Sequence, residues 1–101
     1  MYAVIFTAEI KQLDDDYSAT AQRMRDLALS EFGCLDFTSA CEGGQEIAIS
    51  YWPSLEAIQA WKQHPEHKAA QAKGRSVWYA RYDVKVVEVL RAYASPGETG
   101  Q

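Results

Sequence analysis

The order of extended and helical segments predicts an α+β fold, a ferredoxin-like βαββααβ sandwich in which helices cover one face of a four-stranded antiparallel sheet. Three observations carry that prediction. Period-2 apolar patterns stand near both ends of the chain, a Gly-Gly hairpin signal lies in the middle, and helical stretches opened by capping residues flank it. With 101 residues, 48% of them hydrophobic and 24% charged, the chain has the size and composition of one domain. Residues 1–94 are read as that domain, and 95–101 (SPGETGQ), polar and containing Gly and Pro, as a flexible tail.

The first strand covers residues 2–10, where Tyr2, Val4, Phe6, Ala8 and Ile10 alternate with Ala3, Ile5, Thr7 and Glu9. Asp14-Asp15-Asp16 then supplies a cap and negative charge for a helix N-terminus. Tyr17, Ala21, Met24, Leu27 and Ala28 recur at helical spacing as far as Phe32, and Gly33 stops the helix. Residues 34–42 and 46–52 form two extended stretches, which should pair antiparallel across Gly43-Gly44-Gln45, where glycine permits the positive φ of a hairpin loop.

Ser54 caps a helix whose Leu55, Ile58 and Trp61 form one stripe, so Trp61 points inward. His64-Pro65 breaks it, and Pro65, well tolerated at a first helical position, starts another helix to about Lys73. Gly74 permits a turn. The stretch from about Val77 to Tyr93 is β-rich, but its alternation slips at Val86-Val87, which suggests a bulge or a strand leaving its sheet to pack on a partner. Apolar residues on both strand faces leave the helix-free side of the sheet to be covered, most simply by the same face of a second copy.

A formal net charge of -4 argues against nucleic acid and anionic membranes as partners, because both need clustered Lys and Arg. The N-terminus lacks the basic start and apolar core of a signal peptide, and no apolar run approaches the roughly 20 residues of a spanning helix, so a cytoplasmic protein is expected. Cys34 and Cys41, read on one strand, would lie about 23 Å apart on opposite faces and could not bridge. Two small, semi-buried thiols are expected instead. P-loop, GxGxxG, GxSxG and HExxH signatures are absent, so nucleotide-dependent and hydrolytic chemistry has no motif support.

Residues 51–82, YWPSLEAIQAWKQHPEHKAAQAKGRSVWYARY, hold every tryptophan and both histidines. Such side chains line a pocket as readily as they fill a core. The stretch EIAISYWPSLEAIQAW, continued by KQHPEHKAAQAKGRSVWYARYDVKVVEV, resembles the antibiotic biosynthesis monooxygenase family, and the resemblance covers nearly the whole chain. It implies a homodimeric α+β barrel. For activity it implies cofactor-independent oxidation of phenolic or quinol-like compounds in some members and haem degradation in others.

The resemblance also implies a site built from an asparagine, a tryptophan, a tyrosine and an arginine. Trp61 matches the tryptophan, Arg81 is the candidate arginine, and His67 stands roughly where the tyrosine could be; the chain contains no asparagine. The haem-degrading branch places an iron-binding histidine after an Ala-Ala pair, where this chain has Gln71, and glutamine offers no imidazole nitrogen. Haem degradation is therefore disfavoured.

Oxidising a phenol without a cofactor calls for a base and a cation beside the substrate. His67 or His64 can supply the base, and Arg81 or Arg75 the cation, with Trp61 and Trp78 contributing apolar walls. Each residue has a structural alternative: Trp61 as core, His64 as a helix-junction hydrogen-bonding residue, His67 as a solvated side chain, and Arg81 paired with Asp83. Pro65 separates the two histidines, and neither carboxylate nor thiol stands at ligand spacing from them, so neither metal nor other cofactor is expected. The reading is a cofactor-independent monooxygenase; the alternative is a non-catalytic dimeric barrel that binds a small apolar ligand or has a structural role.

Overall fold

A computed structural model describes residues 1–95. The elements are β1 (Tyr2–Ile10), α1 (Asp15–Glu31), β2 (Asp36–Glu42), β3 (Gln45–Trp52), α2 (Leu55–Gln63), α3 (Pro65–Lys73), a π-helical turn (Gly74–Trp78) and β4 (Tyr79–Glu88). The strands form one antiparallel sheet in the order β2-β3-β1-β4. This is the predicted ferredoxin-like arrangement.

Local chemistry sets most boundaries. Asp14 caps α1 by accepting from the backbone N–H of Asp16 at 3.1 Å. Ser54 caps α2 through Ala57 N at 3.1 Å. At the α2–α3 junction the His64 ring accepts from Glu66 N at 3.1 Å, while Pro65 opens α3. His64 thus replaces a serine or aspartate cap with an imidazole nitrogen. Gly43 and Gly44 adopt φ of 59° and 82° in the β2–β3 hairpin, as expected there.

The register divides the sheet into two faces. Val4 stands opposite Ser50, Phe6 opposite Ala48 and Ala8 opposite Glu46, and these residues face the helices. Leu27, Ala28 and Met24 of α1 pack with Val4, Trp52, Ile58 and Trp61 into the main core. The opposite face presents Ile5, Ile49 and Tyr51 half-buried, with Ile47 47% and Val87 38% exposed.

Several expectations are corrected. Cys34 precedes β2 instead of lying in it; it is buried, with its thiol donating to the Asp36 carbonyl at 3.2 Å, whereas Cys41 is exposed rather than semi-buried. The pairing is regular at Val86-Val87, and the irregularity lies at the other end of β4, where Glu9 faces Arg81 but Ile10 faces Tyr79. Ala80 is the extra residue of that bulge. Gly74 makes no reversing turn, because its φ of -57° and ψ of -49° continue the helix into the π-helical turn. That turn occupies residues up to Trp78, so β4 starts at Tyr79 and ends at Glu88, short of Tyr93. Of the expected tail, only Ser95 lies within the described residues.

Leu27 is wholly buried between α1 and the sheet. Leu27→Ala should lower unfolding free energy by about 3–5 kcal/mol in urea titration, the usual cost of a cavity at such a site. A loss below about 1 kcal/mol would show that the α1–sheet contact is not the centre of the core.

Candidate functional site

Between the helices and the sheet lies a cavity of about 170 Å³. Its walls come from all four strands, all three α-helices and the π-helical turn. Val4 and Phe6 of β1 and Glu46 and Ala48 of β3 form its floor, with Phe37 and Ser39 of β2 and Tyr82 and Val84 of β4 beside them. Tyr17, Ala21, Met24 and Arg25 descend from α1, and Trp61 and His67 from α2 and α3. Trp78 and Tyr79 enter where the π-helical turn passes into β4. Its one extra backbone residue per turn re-aims the side chains that follow, a device often found beside functional sites.

Gly74 makes this entry possible. A Cβ at that position would stand 3.0 and 3.1 Å from two ring carbons of Tyr79. The glycine therefore lets the Tyr79 ring lie against the helical backbone.

One end of the cavity is organised by a carboxylate. Glu46 faces inward on β3 and is 8% exposed. Its Oε1 accepts a hydrogen bond from the Tyr17 hydroxyl and another from the Tyr79 hydroxyl at 2.9 Å. Burial, followed by the neighbouring Glu46, holds both phenols well above the usual tyrosine range, so both remain protonated donors. Phe6 lies against Tyr79 and Tyr82 with centroids 5.4 and 5.6 Å apart, giving this end an aromatic wall.

Away from Glu46 the cavity meets an aromatic stack that continues behind its wall to Trp52. Trp61 lies 5.1 Å from Trp52 and 4.2 Å from the His67 ring, centroid to centroid. The indole Nε1–H of Trp61 and Nδ1 of His67 are buried without a hydrogen-bond partner, as is Nε of Arg25. Buried donors in this state mark places that a ligand or water completes. Arg25 otherwise donates from Nη2 to Ser39 Oγ at 3.1 Å and lies over the Phe37 ring at 5.7 Å.

The residues singled out in the sequence thus separate. Trp61 belongs to both the core and the cavity wall, being 7% exposed. His67 lines the cavity and is half-buried, not solvated. Trp78 also lines it, with its ring nitrogen donating to Asp14 Oδ1 at 2.9 Å. His64 serves as a helix cap packed edge-on against Phe32. Arg75 is exposed and reaches the Tyr82 hydroxyl at 3.4 Å. Arg81 shares the outward face with Glu9, to which it pairs at 3.6 Å, and its partner is that cross-strand residue instead of Asp83.

Tyr17, Arg25, Glu46 and Tyr79 were not anticipated. Two signals were present: Tyr17, Ala21 and Arg25 share an i, i+4, i+8 line on α1, and Glu46 alternates with Ala48, Ser50 and Trp52.

Fold and site together define a class, a small ferredoxin-like α+β domain with an apolar, aromatic-walled cavity between its layers. The profile of the antibiotic biosynthesis monooxygenase family matches residues 1–73. The uncharacterized protein YqjZ of Bacillus subtilis (strain 168) is 47% identical over 91 residues, a match spanning 89% of this chain and 80% of that protein. The chain belongs to the antibiotic biosynthesis monooxygenase family.

Among solved structures, Rv0793 from Mycobacterium tuberculosis superposes with a TM-score of 0.79 at 18% identity, over 92% of this chain and 98% of that one. SnoaB, a cofactor-independent oxygenase from Streptomyces nogalater solved as a mutant, gives 0.77 at 10% identity, over 93% and 97%. At these identities the likeness is one of fold.

Burial, followed by electrostatic interaction with the neighbouring Lys62 and His64, lowers the His67 pKa from 6.5 to about 4. In the interval between those values the unfolded chain binds a proton at His67 that the folded chain refuses, so stability falls as pH falls. Between pH 6.5 and 4 the wild type should lose up to about 3 kcal/mol more than His67→Gln in urea titrations. Parallel stability curves for the two proteins would place the imidazole in solvent.

Proposed function

We propose that this protein is a cofactor-independent monooxygenase that oxidises a small phenolic or quinol-type aromatic with molecular oxygen in the cavity between sheet and helices. The observation that carries this reading is an apolar, aromatic-walled cavity with unpaired polar groups at Trp61 Nε1, His67 Nδ1 and Arg25 Nε. Family membership and the fold shared with SnoaB, itself a cofactor-independent oxygenase, support it.

The chemistry assigned to the cavity is as follows. His67, neutral because burial holds its pKa at about 4, is too weak a base to ionise a resting phenol and accepts the ring-hydroxyl proton as the ring loses an electron to O2, when that proton is strongly acidic. One electron passes from the ring to O2 as that proton leaves, the resulting superoxide and ring radical combine at carbon, and His67 returns the proton to the peroxide oxygen. Loss of water from that hydroperoxide gives the quinone, so one oxygen atom enters the product and the other leaves as water. The Trp61 N–H and the Arg25 guanidinium stabilise negative charge on oxygen during these steps. Arg25 takes the role of pocket cation in this scheme because Arg81 faces away and Arg75 stands on the exterior.

The proposal includes a homodimer. Ile5, Ile47, Ile49, Tyr51 and Val87 make the helix-free face apolar, and the same face of a second copy, related by a two-fold axis, offers matching chemistry. Introducing two charges there with Ile47→Lys and Ile49→Lys should shift the mass seen by light scattering from dimer to monomer; an unchanged mass places the interface elsewhere.

A panel of monocyclic phenols and hydroquinones, extended to dihydroxynaphthalenes and anthrones to find the size limit, tests the activity through oxygen uptake and quinone absorbance. At least one compound should be turned over, and His67→Gln should reduce kcat by about a hundredfold or more. Uptake at the buffer rate across the panel would leave a ligand-binding barrel as the better account.

A further inference from the structure

Glu46 places a buried carboxylate in the wall of the cavity. An unpartnered carboxylate under an aromatic wall would be strongly unfavourable, and two tyrosine hydroxyls offset that cost. Their geometry is uneven, since both donors converge on Oε1. Oε1 is saturated. Neither tyrosine bonds Oε2, the second oxygen of a side chain that lines the cavity. A carboxylate serving only as a clamp for Tyr17 and Tyr79 would be expected to divide them between its oxygens.

The two ends of the cavity also differ in hydrogen-bonding character. At the Trp61 end the indole N–H and the Arg25 guanidinium N–H are donors without acceptors. At the Glu46 end the free capacity is that of an acceptor, because the tyrosine protons are already committed. A ligand atom beside Glu46 must therefore bring a proton.

We propose that Glu46, clamped at Oε1 by Tyr17 and Tyr79, receives through Oε2 the hydrogen bond of an aromatic hydroxyl group on the bound ligand. Tyr17 and Tyr79 are positioning residues: they fix the carboxylate and leave one oxygen facing the ring. The preferred ligands are then compact aromatic alcohols with a free hydroxyl. Corresponding aryl ethers lack the proton and leave Oε2 unpaired. The cavity volume of about 170 Å³ suits a single ring within its walls, since an apolar cavity of about 150 Å³ accommodates benzene. The inference rests on reading this cavity as an aromatic-ligand site, but not on the oxidation step.

The test pairs two ligands with two proteins under argon, so that catalysis plays no part. Calorimetry measures 4-ethylphenol and 4-ethylanisole binding to the wild type and to Glu46→Gln, whose amide keeps the size of the side chain and still offers an oxygen to the tyrosines. The wild type should bind the phenol at least about tenfold more tightly than the ether, and the variant should lose that preference while holding the ether unchanged. Equal weakening of both ligands in the variant means a purely structural glutamate and overturns the proposal. So does a wild type that binds neither ligand, or binds both alike.

If Glu46→Gln does not fold, Tyr17→Phe decides. Releasing one of the two clamps should lower the phenol-to-ether ratio while ether binding persists, whereas a ratio that is unchanged or higher overturns the proposal. A phenol preference found together with a failed oxygen-uptake panel would retain the role of Glu46 and reject the oxygenase chemistry.

Discussion

The carboxylate of Asp14 joins the start of α1 to the end of α3 and the π-helical turn that continues it, 64 residues on at Trp78. Its Oδ1 caps α1 through Asp16 N and accepts the ring N–H of Trp78, while its Oδ2 lies 3.3 Å from Lys73 Nζ. The start of the first helix, the end of the third and the π-helical turn are thereby fixed to one group. The Trp78 hydrogen bond, followed among the favourable interactions by Lys73, keeps the Asp14 carboxyl below the usual aspartate range, so the group stays charged. Tyr17 stands three residues further along α1 and Tyr79 directly follows Trp78, so the same knot brings both tyrosines to Glu46. The polar end of the cavity is thus built outward from a helix cap.

The other end depends on packing instead of charge. Trp52 closes β3 and is wholly buried, Trp61 lies against it from α2, and His67 lies against Trp61 from α3. Phe37 meets Trp61 edge-on from β2. This arrangement leaves buried N–H groups aimed at space, which a core evolved only for stability would avoid. The two ends therefore differ in kind: one holds a carboxylate clamped at a single oxygen by two tyrosines, and the other holds buried polar nitrogens without partners.

Much of the fold was legible because its boundaries are set by local chemistry. Asp14 and Ser54 cap as their side chains dictate, Pro65 starts a helix where its missing N–H costs nothing, and the Gly43-Gly44 pair takes the positive φ its hairpin needs. The π-helical turn was illegible, since an extra residue in a helical turn leaves no periodic signature over five positions. Mistaking it for a turn and the start of a strand also misplaced the bulge, which falls at Ala80 where β4 adjusts to that turn.

The site was half legible. Trp61 was found because it lies on a helix stripe with Ile58, and His67 because it follows within one turn of the next helix. Glu46 and Tyr17 meet only through the pairing of β1 with β3 and the docking of α1, contacts that no spacing encodes. Arg81 was drawn to the wrong side of the sheet by the same ignorance of strand phase, since a shift of one residue exchanges the faces.

The Trp52–Trp61 pair has a consequence for observing the protein. Two indoles with centroids 5.1 Å apart and planes inclined at 38° are close enough to couple electronically. Their far-ultraviolet circular dichroism, where the indole transition is strong, should therefore contain a paired exciton band that Trp78, seated at the other end among tyrosines, does not share. Because Trp61 also lines the cavity, the chain contains an optical gauge of occupancy that needs no attached dye.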